Sequence, residues 1–252
     1  MLNYDGEPLL RMEGIHKRYG SVHALKGIDF GVYPGEVVGL IGDNGAGKST
    51  LIEIITGVHQ PSEGIVYWNG EETVISSVDK ARALDIETVY QDQAVVDDRS
   101  VAQNVFLGRE LTASIGPFDF LDKSTMREEA ETLTRELGLD IASPNQEVRF
   151  CSGGEKQGVA IARAMYFDAD LVILDEPTTA LAVTGVREVM KFIEQLKNAG
   201  TSCIFITHNI QHGYSISDRF VVLSRGEKLA DLKHEETSPD ELEEIQTRAV
   251  SA

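Results

Sequence analysis

Cysteine is scarce in this chain: Cys151 and Cys203 are the only two, and they form no C-x-x-C pair. Neither they nor the six histidines show metal-ligand spacing, which predicts two reduced, isolated thiols and no zinc site. Long hydrophobic runs are also missing. The uninterrupted apolar stretches are pieces such as Val37–Gly42, far below the roughly 18 to 20 residues of a membrane-spanning helix. The opening MLNYDGEPLL has neither a basic leader nor a long apolar run, so the expectation is a chain that stays in the cytoplasm. Basic residues are few, 23 against 41 acidic, and the formal charge of -18 disfavours broad contact with nucleic acid or anionic lipid. Such an excess keeps a protein hydrated where salt screens its self-repulsion, so a high-salt source is one reading and ordinary acidity the other. No internal repeat, low-complexity tract or linker is visible.

What is present is ample core material, 42% hydrophobic over 252 residues. Three short, continuous, β-rich runs read as buried parallel strands: EVVGLI (Glu36–Ile41), LVILDE (Leu171–Glu176) and CIFITH (Cys203–His208). Helical patterns separate them. One places Met126, Ala130, Leu133 and Leu137 on a single face and stops at Gly138; another does so with Val186, Val189, Met190, Ile193 and Leu196 before Gly200. Strand alternating with helix predicts an α/β domain with a mostly parallel sheet. The first 75 residues differ, since GIDFGVYPGE and GIVYWNGEE are short alternating pieces broken by Gly, Pro and Asn, and they predict an antiparallel side sheet. From about residue 92 to 158 helical patterns dominate, which predicts a helical subdomain inserted in the core. A capping box at Ser238 and Glu241 opens a terminal helix.

The stretch GDNGAGKST, Gly42–Thr50, fits G-x-x-x-x-G-K-[ST], follows a predicted strand and opens a helical pattern, which is the context this phosphate-loop motif requires. Across Gly42, Asp43, Asn44, Gly45, Ala46 and Gly47 the glycines let backbone N–H groups turn toward phosphate oxygens. Lys48 reaches the β and γ phosphates, Ser49 holds Mg²⁺ and Thr50 adds a phosphate contact. A strand ending in DLVILDE delivers Asp175 to the Mg²⁺ shell and sets Glu176 beside the γ-phosphate as general base for the attacking water. No N-K-x-D guanine reader is present, so the nucleotide is ATP.

With the phosphate loop, CSGGEKQ (Cys151–Gln157) and LVILDEPTTAL in this order, the chain resembles the ATP-binding subunit of an ABC transporter over about residues 9 to 230. The resemblance implies one domain over residues 1–252 with a P-loop NTPase core. It also implies that two copies pack head to tail, so that Ser152, Gly153 and Gly154 of each touch the γ-phosphate held by the other. Tyr19 sits where the family stacks a ring on adenine, Gln91 where a glutamine contacts Mg²⁺ or the attacking water, and His208 where a switch histidine meets the γ-phosphate. Three positions depart from the pattern. Cys151 and Glu155 replace the usual Leu and Gln of the signature, which requires the carboxylate to point away from the phosphates. Ala182 replaces the usual Asp after Leu181, which weakens the expected bonding between the two composite sites.

Within the family, VYQDQAVVDDRSVAQNVFLGRE and SGGEKQGVAIARAMY look most like the ATPases of monosaccharide importers of the ribose, xylose, glucose or fructose type. Many of those fuse two halves, whereas this sequence has one and ends at Ala252, so the expectation is a homodimer. Its partners are then two integral membrane permease subunits and, indirectly, an external solute-binding protein, with no nucleic acid, at the cytoplasmic face of the membrane. The rival class is a soluble ABC ATPase of the iron-sulfur cluster assembly type, which also carries SGGEK; the continuation QGVAIARAMY favours transport. A non-catalytic scaffold would lack Lys48, Asp175, Glu176 or His208, and all are present.

Overall fold

A computed structural model of the chain describes residues 6–90, 95–115, 118–179 and 181–251, which divide into two compact units. The first comprises the chain up to Thr88, Asp170–Glu176 and the part from Leu196 onward; the second comprises Val89–Ala169 and Pro177–Gln195. In chain order, β1 (Leu10–Tyr19) and β2 (Val22–Val32) pair as a hairpin, and β3 (Val37–Ile41) leads through the glycine-rich loop into α1 (Lys48–Ile55). β4 (Glu63–Trp68), β5 (Glu71–Glu72), α2 (Val78–Arg82) and β6 (Ile86–Val89) follow. Then come α3 (Val101–Val105), the hairpin β7 (Thr112–Ile115) and β8 (Phe118–Leu121), α4 (Lys123–Leu137) and α5 (Gly153–Tyr166). The chain closes with β9 (Leu171–Asp175), α6 (Val183–Asn198), β10 (Ser202–Thr207), α7 (Ile210–Ile216), β11 (Arg219–Ser224), β12 (Glu227–Lys233) and α8 (Pro239–Ser251).

The fold is α/β. The principal sheet has six strands in the order β12-β11-β3-β10-β9-β6, with β3 parallel to both β10 and β11 and β10 parallel to β9. Residues of β3, β10 and β11 alternate between two apolar layers, and for that reason they read as unbroken hydrophobic runs. Val38, Leu40, Ile204 and Val221 face one core, shared with Leu51 and Ile55 of α1 and with Met12, Ile15 and Phe30 of the antiparallel sheet β2-β1-β4-β5. Ile41, Phe220 and Val222 face the other, against Ile210 of α7 and Leu242 of α8. Burying one such side chain stabilises the fold by about 1.5–3 kcal/mol.

A buried ion pair joins the strands of the first unit. Arg219, opening β11, donates through Nε and Nη2 to both carboxylate oxygens of Glu36 at 2.7 and 3.0 Å, and through Nη1 to Asp231 of β12 at 2.7 Å. Its Nη2 also donates to the Gly31 carbonyl of β2, while Glu36 accepts from the Tyr33 N–H. These neighbouring carboxylates outweigh burial and raise the pKa of Arg219 further, so it stays charged.

In the second unit, α4 buries Met126, Ala130, Leu133 and Leu137 and ends at Gly138 in the left-handed conformation. Of α6, Val189, Phe192 and Ile193 lie in this unit and are buried. The hairpin β7-β8 exposes Phe118, Phe120 and Leu121, so its strands carry no inside-outside alternation. Among the described residues no helix is long and apolar enough to cross a membrane. Cys151 and Cys203 are both buried and free, and burial pushes the Cys203 thiol up to about 12.

Candidate active site

Strand register brings the chemistry of the first unit to one edge. Ile41 at the end of β3 pairs with Thr207 at the end of β10, and Ile206 pairs with Asp175 at the end of β9. Three segments therefore leave the sheet side by side: the phosphate loop after Ile41, Glu176 after Asp175 and His208 after Thr207. The C-terminal edge of a parallel sheet is where α/β folds place their ligands.

The loop is shaped by its glycines. Gly47 caps α1 at φ 106°, and a Cβ there would lie 2.8 Å from the Leu25 side chain and 3.0 Å from the Ala24 carbonyl, so no other residue fits. Ala46 is held from both sides, its N–H donating to the Asp43 carbonyl and its own carbonyl accepting from the Gly226 N–H. Asp43, Asn44 and Gly45 are exposed, Ser49 is exposed and Thr50 half-buried. Lys48 is 9% exposed, and its Nζ donates to the carbonyls of Gly42 and Asp43. Burial lowers its pKa, while Glu176, Asp175 and Asp43 pull the other way.

Asp175 is partly buried, and burial raises its carboxyl above the ordinary value, with Glu176 adding to the rise and Lys48 opposing it. Glu176 adopts φ +50°, a left-handed conformation in which a side chain with a Cβ is strained by about 1–2 kcal/mol. Its N–H continues the ladder to the Ile206 carbonyl, and its Oε1 lies 2.9 Å from His208 Nδ1. The His208 side chain is 63% exposed and that of Glu176 only 12%, so a shielded carboxylate meets an accessible imidazole. Nothing in the sequence announces the strained backbone at Glu176; a non-glycine residue leaving a buried strand is ordinary.

Tyr19 ends β1 and is 39% exposed, with its ring in edge contact with His59 and with Lys17 Nζ 5.0 Å from the ring centroid. Its hydroxyl lies 3.4 Å from Glu53 Oε2 of α1, so the ring is partly shielded without being packed into the core of the side sheet. Gln91 lies outside the described residues.

The signature stands in the second unit. Ser152 caps α5 and Gly153 and Gly154 begin it, so Ser-Gly-Gly does open a helix, with Val159, Ala160, Ile161 and Ala164 buried. Ser152 Oγ accepts from the Glu155 N–H at 3.2 Å, and Glu155 Oε2 accepts from the Ser152 N–H at 2.6 Å. This capping box turns the Glu155 carboxylate back onto the backbone, a place that glutamine fills equally well. Gly154 has a packing role that the motif does not reveal: a Cβ there would meet Glu188 Oε2 at 2.1 Å and the Gly185 Cα at 2.9 Å. Ala182, at the start of α6, accepts the Val186 N–H through its carbonyl and offers no side-chain cap.

Comparison with known proteins agrees with this architecture. The family profile described as ABC transporter matches residues 25–179. The chain belongs to the ABC transporter family, as an ATP-hydrolysing subunit that binds nucleotide. It is 44% identical over 239 residues, 95% of its length and 94% of the relative's, to the xylose/arabinose import ATP-binding protein of Sulfolobus acidocaldarius. It is 43% identical over 227 residues, covering 88% of its length and 87% of the relative's, to the fructose import ATP-binding protein of Rhizobium meliloti. A solved dimeric ATP-binding cassette in a post-hydrolysis state, bound to ADP and Pi, superposes with a TM-score of 0.74 at 26% identity over 89% of this chain and 98% of that one.

Proposed function

We propose that this chain drives the import of a monosaccharide by hydrolysing ATP as a homodimer beneath two integral membrane permease subunits, at the cytoplasmic face, with an external solute-binding protein delivering the sugar. The observation that carries the ATPase chemistry is the convergence of Lys48, Asp175, Glu176 and His208 at one sheet edge. The sugar class is supported by the xylose/arabinose and fructose importers among its relatives, and the dimer by the dimeric cassette. Relatives named for import do not favour a cluster-assembly ATPase.

In this reading residues 1–252 are one ATP-binding domain. The N–H groups of Gly42–Gly47 and the Lys48 ammonium receive the β and γ phosphates, with Nζ exchanging the loop carbonyls it now meets for phosphate oxygens. Thr50 adds a contact, and Tyr19 stacks on adenine. Glu176 accepts the proton of the attacking water, with His208 orienting both the carboxylate and the γ-phosphate. Ser152, Gly153 and Gly154 serve the partner copy's γ-phosphate, at a helix N-terminus that suits an anion.

The residues present fit Mg²⁺. Ser49 and Asp175 offer a hydroxyl and a carboxylate, the oxygen donors a hard cation takes, and Gln91 is the third residue assigned to it. An ion held there would take its remaining ligands from phosphates and water. Held by these residues, Mg²⁺ would supply neutralisation of phosphate charge.

The test is uptake of a panel of labelled monosaccharides by cells lacking this chain, restored with the unaltered chain or with Lys48→Ala. Uptake of at least one sugar is expected to disappear, to return with the unaltered chain and to stay absent with Lys48→Ala. Unchanged uptake across the panel contradicts sugar import.

A further inference from the structure

The C-terminal helix reaches the phosphate loop. Leu242 of α8 is fully buried in the apolar cluster with Ile41, Ile210, Phe220 and Val222, and Ile245 packs against it. That anchoring fixes the rotation of the helix. One turn beyond Leu242 lies Gln246, and its Nε2 donates to Oδ1 of Asp43 at 2.5 Å, across 203 positions of sequence. Asp43 is the one acidic side chain in Gly42–Thr50. Its backbone carbonyl accepts from Lys48 Nζ and from the Ala46 N–H, both at 3.1 Å, so the residue belongs to the frame of the loop. The helix also packs on α7, whose cap Asn209 directly follows His208. An open cleft of about 600 Å³ lies there, lined by Asp43, His208, Asn209 and Gln246 among others.

We propose that Gln246 is a positioning residue of the ATP site: from α8 it holds the Asp43 carboxylate outward, away from the phosphates that the loop amides and Lys48 receive. A free carboxylate at the first variable position of the loop would turn negative charge toward a polyanion, and would compete with the nucleotide for the Lys48 ammonium, to which it is already electrostatically coupled. A neutral amide donor is the suitable partner, because it satisfies the carboxylate without adding a cation that would draw the nucleotide off line. The inference rests on the ATPase reading of this same site.

The test measures ATP dissociation constants and turnover at saturating ATP for the full chain and for the variants Gln246→Ala, Gln246→Glu, Asp43→Asn, Asp43→Asn combined with Gln246→Ala, and Lys48→Ala. Gln246→Ala is expected to weaken ATP binding roughly tenfold, the scale of losing a hydrogen bond to a charged group, while turnover at saturation changes by less than about twofold. Once Asp43→Asn is in place, the same substitution should shift ATP binding by less than about twofold, because no charge is left to restrain. Gln246→Glu should weaken binding more than alanine does, and increasingly so as salt is removed. Equal loss with and without the Asp43→Asn substitution would mean that Gln246 only supports the helix, and unaltered ATP binding in Gln246→Ala would overturn the proposal directly. If the unaltered chain shows no ATP binding that depends on Lys48, the ATPase reading falls as well, a result distinct from either of these.

Discussion

A Glu176→Gln variant is expected to bind ATP with near-normal affinity and to turn it over roughly 10² to 10⁴ times more slowly, the range a positioned general base contributes. The geometry makes this a clean substitution. The amide fills the volume of the carboxylate, can keep a hydrogen bond with His208 where the carboxylate now lies 2.9 Å from Nδ1, and demands nothing new of a backbone already at φ +50°. What it cannot do is accept the proton of the attacking water. Binding should persist because in the proposed site the phosphate contacts come from the loop and Lys48, and ATP-bound dimers should accumulate because the step that releases them is lost. Single-turnover hydrolysis beside equilibrium ATP binding checks both halves. Retention of more than about a tenth of wild-type hydrolysis would mean that Glu176 is not the principal base.

The second large effect is on stability. Glu36→Ala should cost about 3–5 kcal/mol, because it leaves the Arg219 cation buried with only part of its hydrogen bonding. Glu36 is 0% exposed and Arg219 8%, so water cannot replace the lost carboxylate. Asp231 and the Gly31 carbonyl remain as partners, which places the expected loss toward the lower end. For a chain of this size that corresponds to a fall in Tm of roughly 6–12 °C. The double variant Glu36→Met with Arg219→Met should recover much of the loss, since a neutral apolar pair removes the uncompensated charge. Urea unfolding of the unaltered chain, Glu36→Ala, the single variants Glu36→Met and Arg219→Met, and the double variant measures this. A loss under about 1 kcal/mol in Glu36→Ala, or a double variant as unstable as the sum of its parts, would contradict the role given to the pair.

How much of this is legible in the sequence depends on distance along the chain. The runs at Val37–Ile41, Leu171–Asp175 and Ser202–Thr207 declare themselves because both faces of each strand are buried, so nearly every position is apolar or small. β11 is just as buried, yet RFVVLS opens with an arginine whose place in the interior depends on Glu36, 183 positions away. β1 is hidden likewise: LRMEGIHKRY mixes charge with Leu10, Met12 and Ile15, the positions that face the core. The α5 capping box is visible in the spacing of Ser152 and Glu155, three apart, and the left-handed stop of α4 in the glycine at 138. The packing of Gly154 against Gly185 and Glu188, and the reach of Gln246 to Asp43, are products of tertiary folding that no local spacing encodes. Within the site, Asp175, Glu176 and His208 can be read as strand ends, and the register of β3, β9 and β10 makes those ends neighbours.

The central claim, that two copies of this chain build each ATP site together, is tested most directly by mixing two inactive variants, Lys48→Ala and Ser152→Arg, under conditions where subunits exchange. Each alone should fail, the first by removing a phosphate contact from both sites, the second by placing a bulky cation where each signature meets its partner's γ-phosphate. If the signature acts across the dimer, a mixed dimer holds one site with both lesions and one with none. ATP hydrolysis, measured together with ATP-driven dimer formation, should then rise clearly above that of either parent. If the signature acts within its own chain, every site of the mixed dimer keeps one lesion. No recovery of hydrolysis or of dimer formation in the mixture would contradict the account.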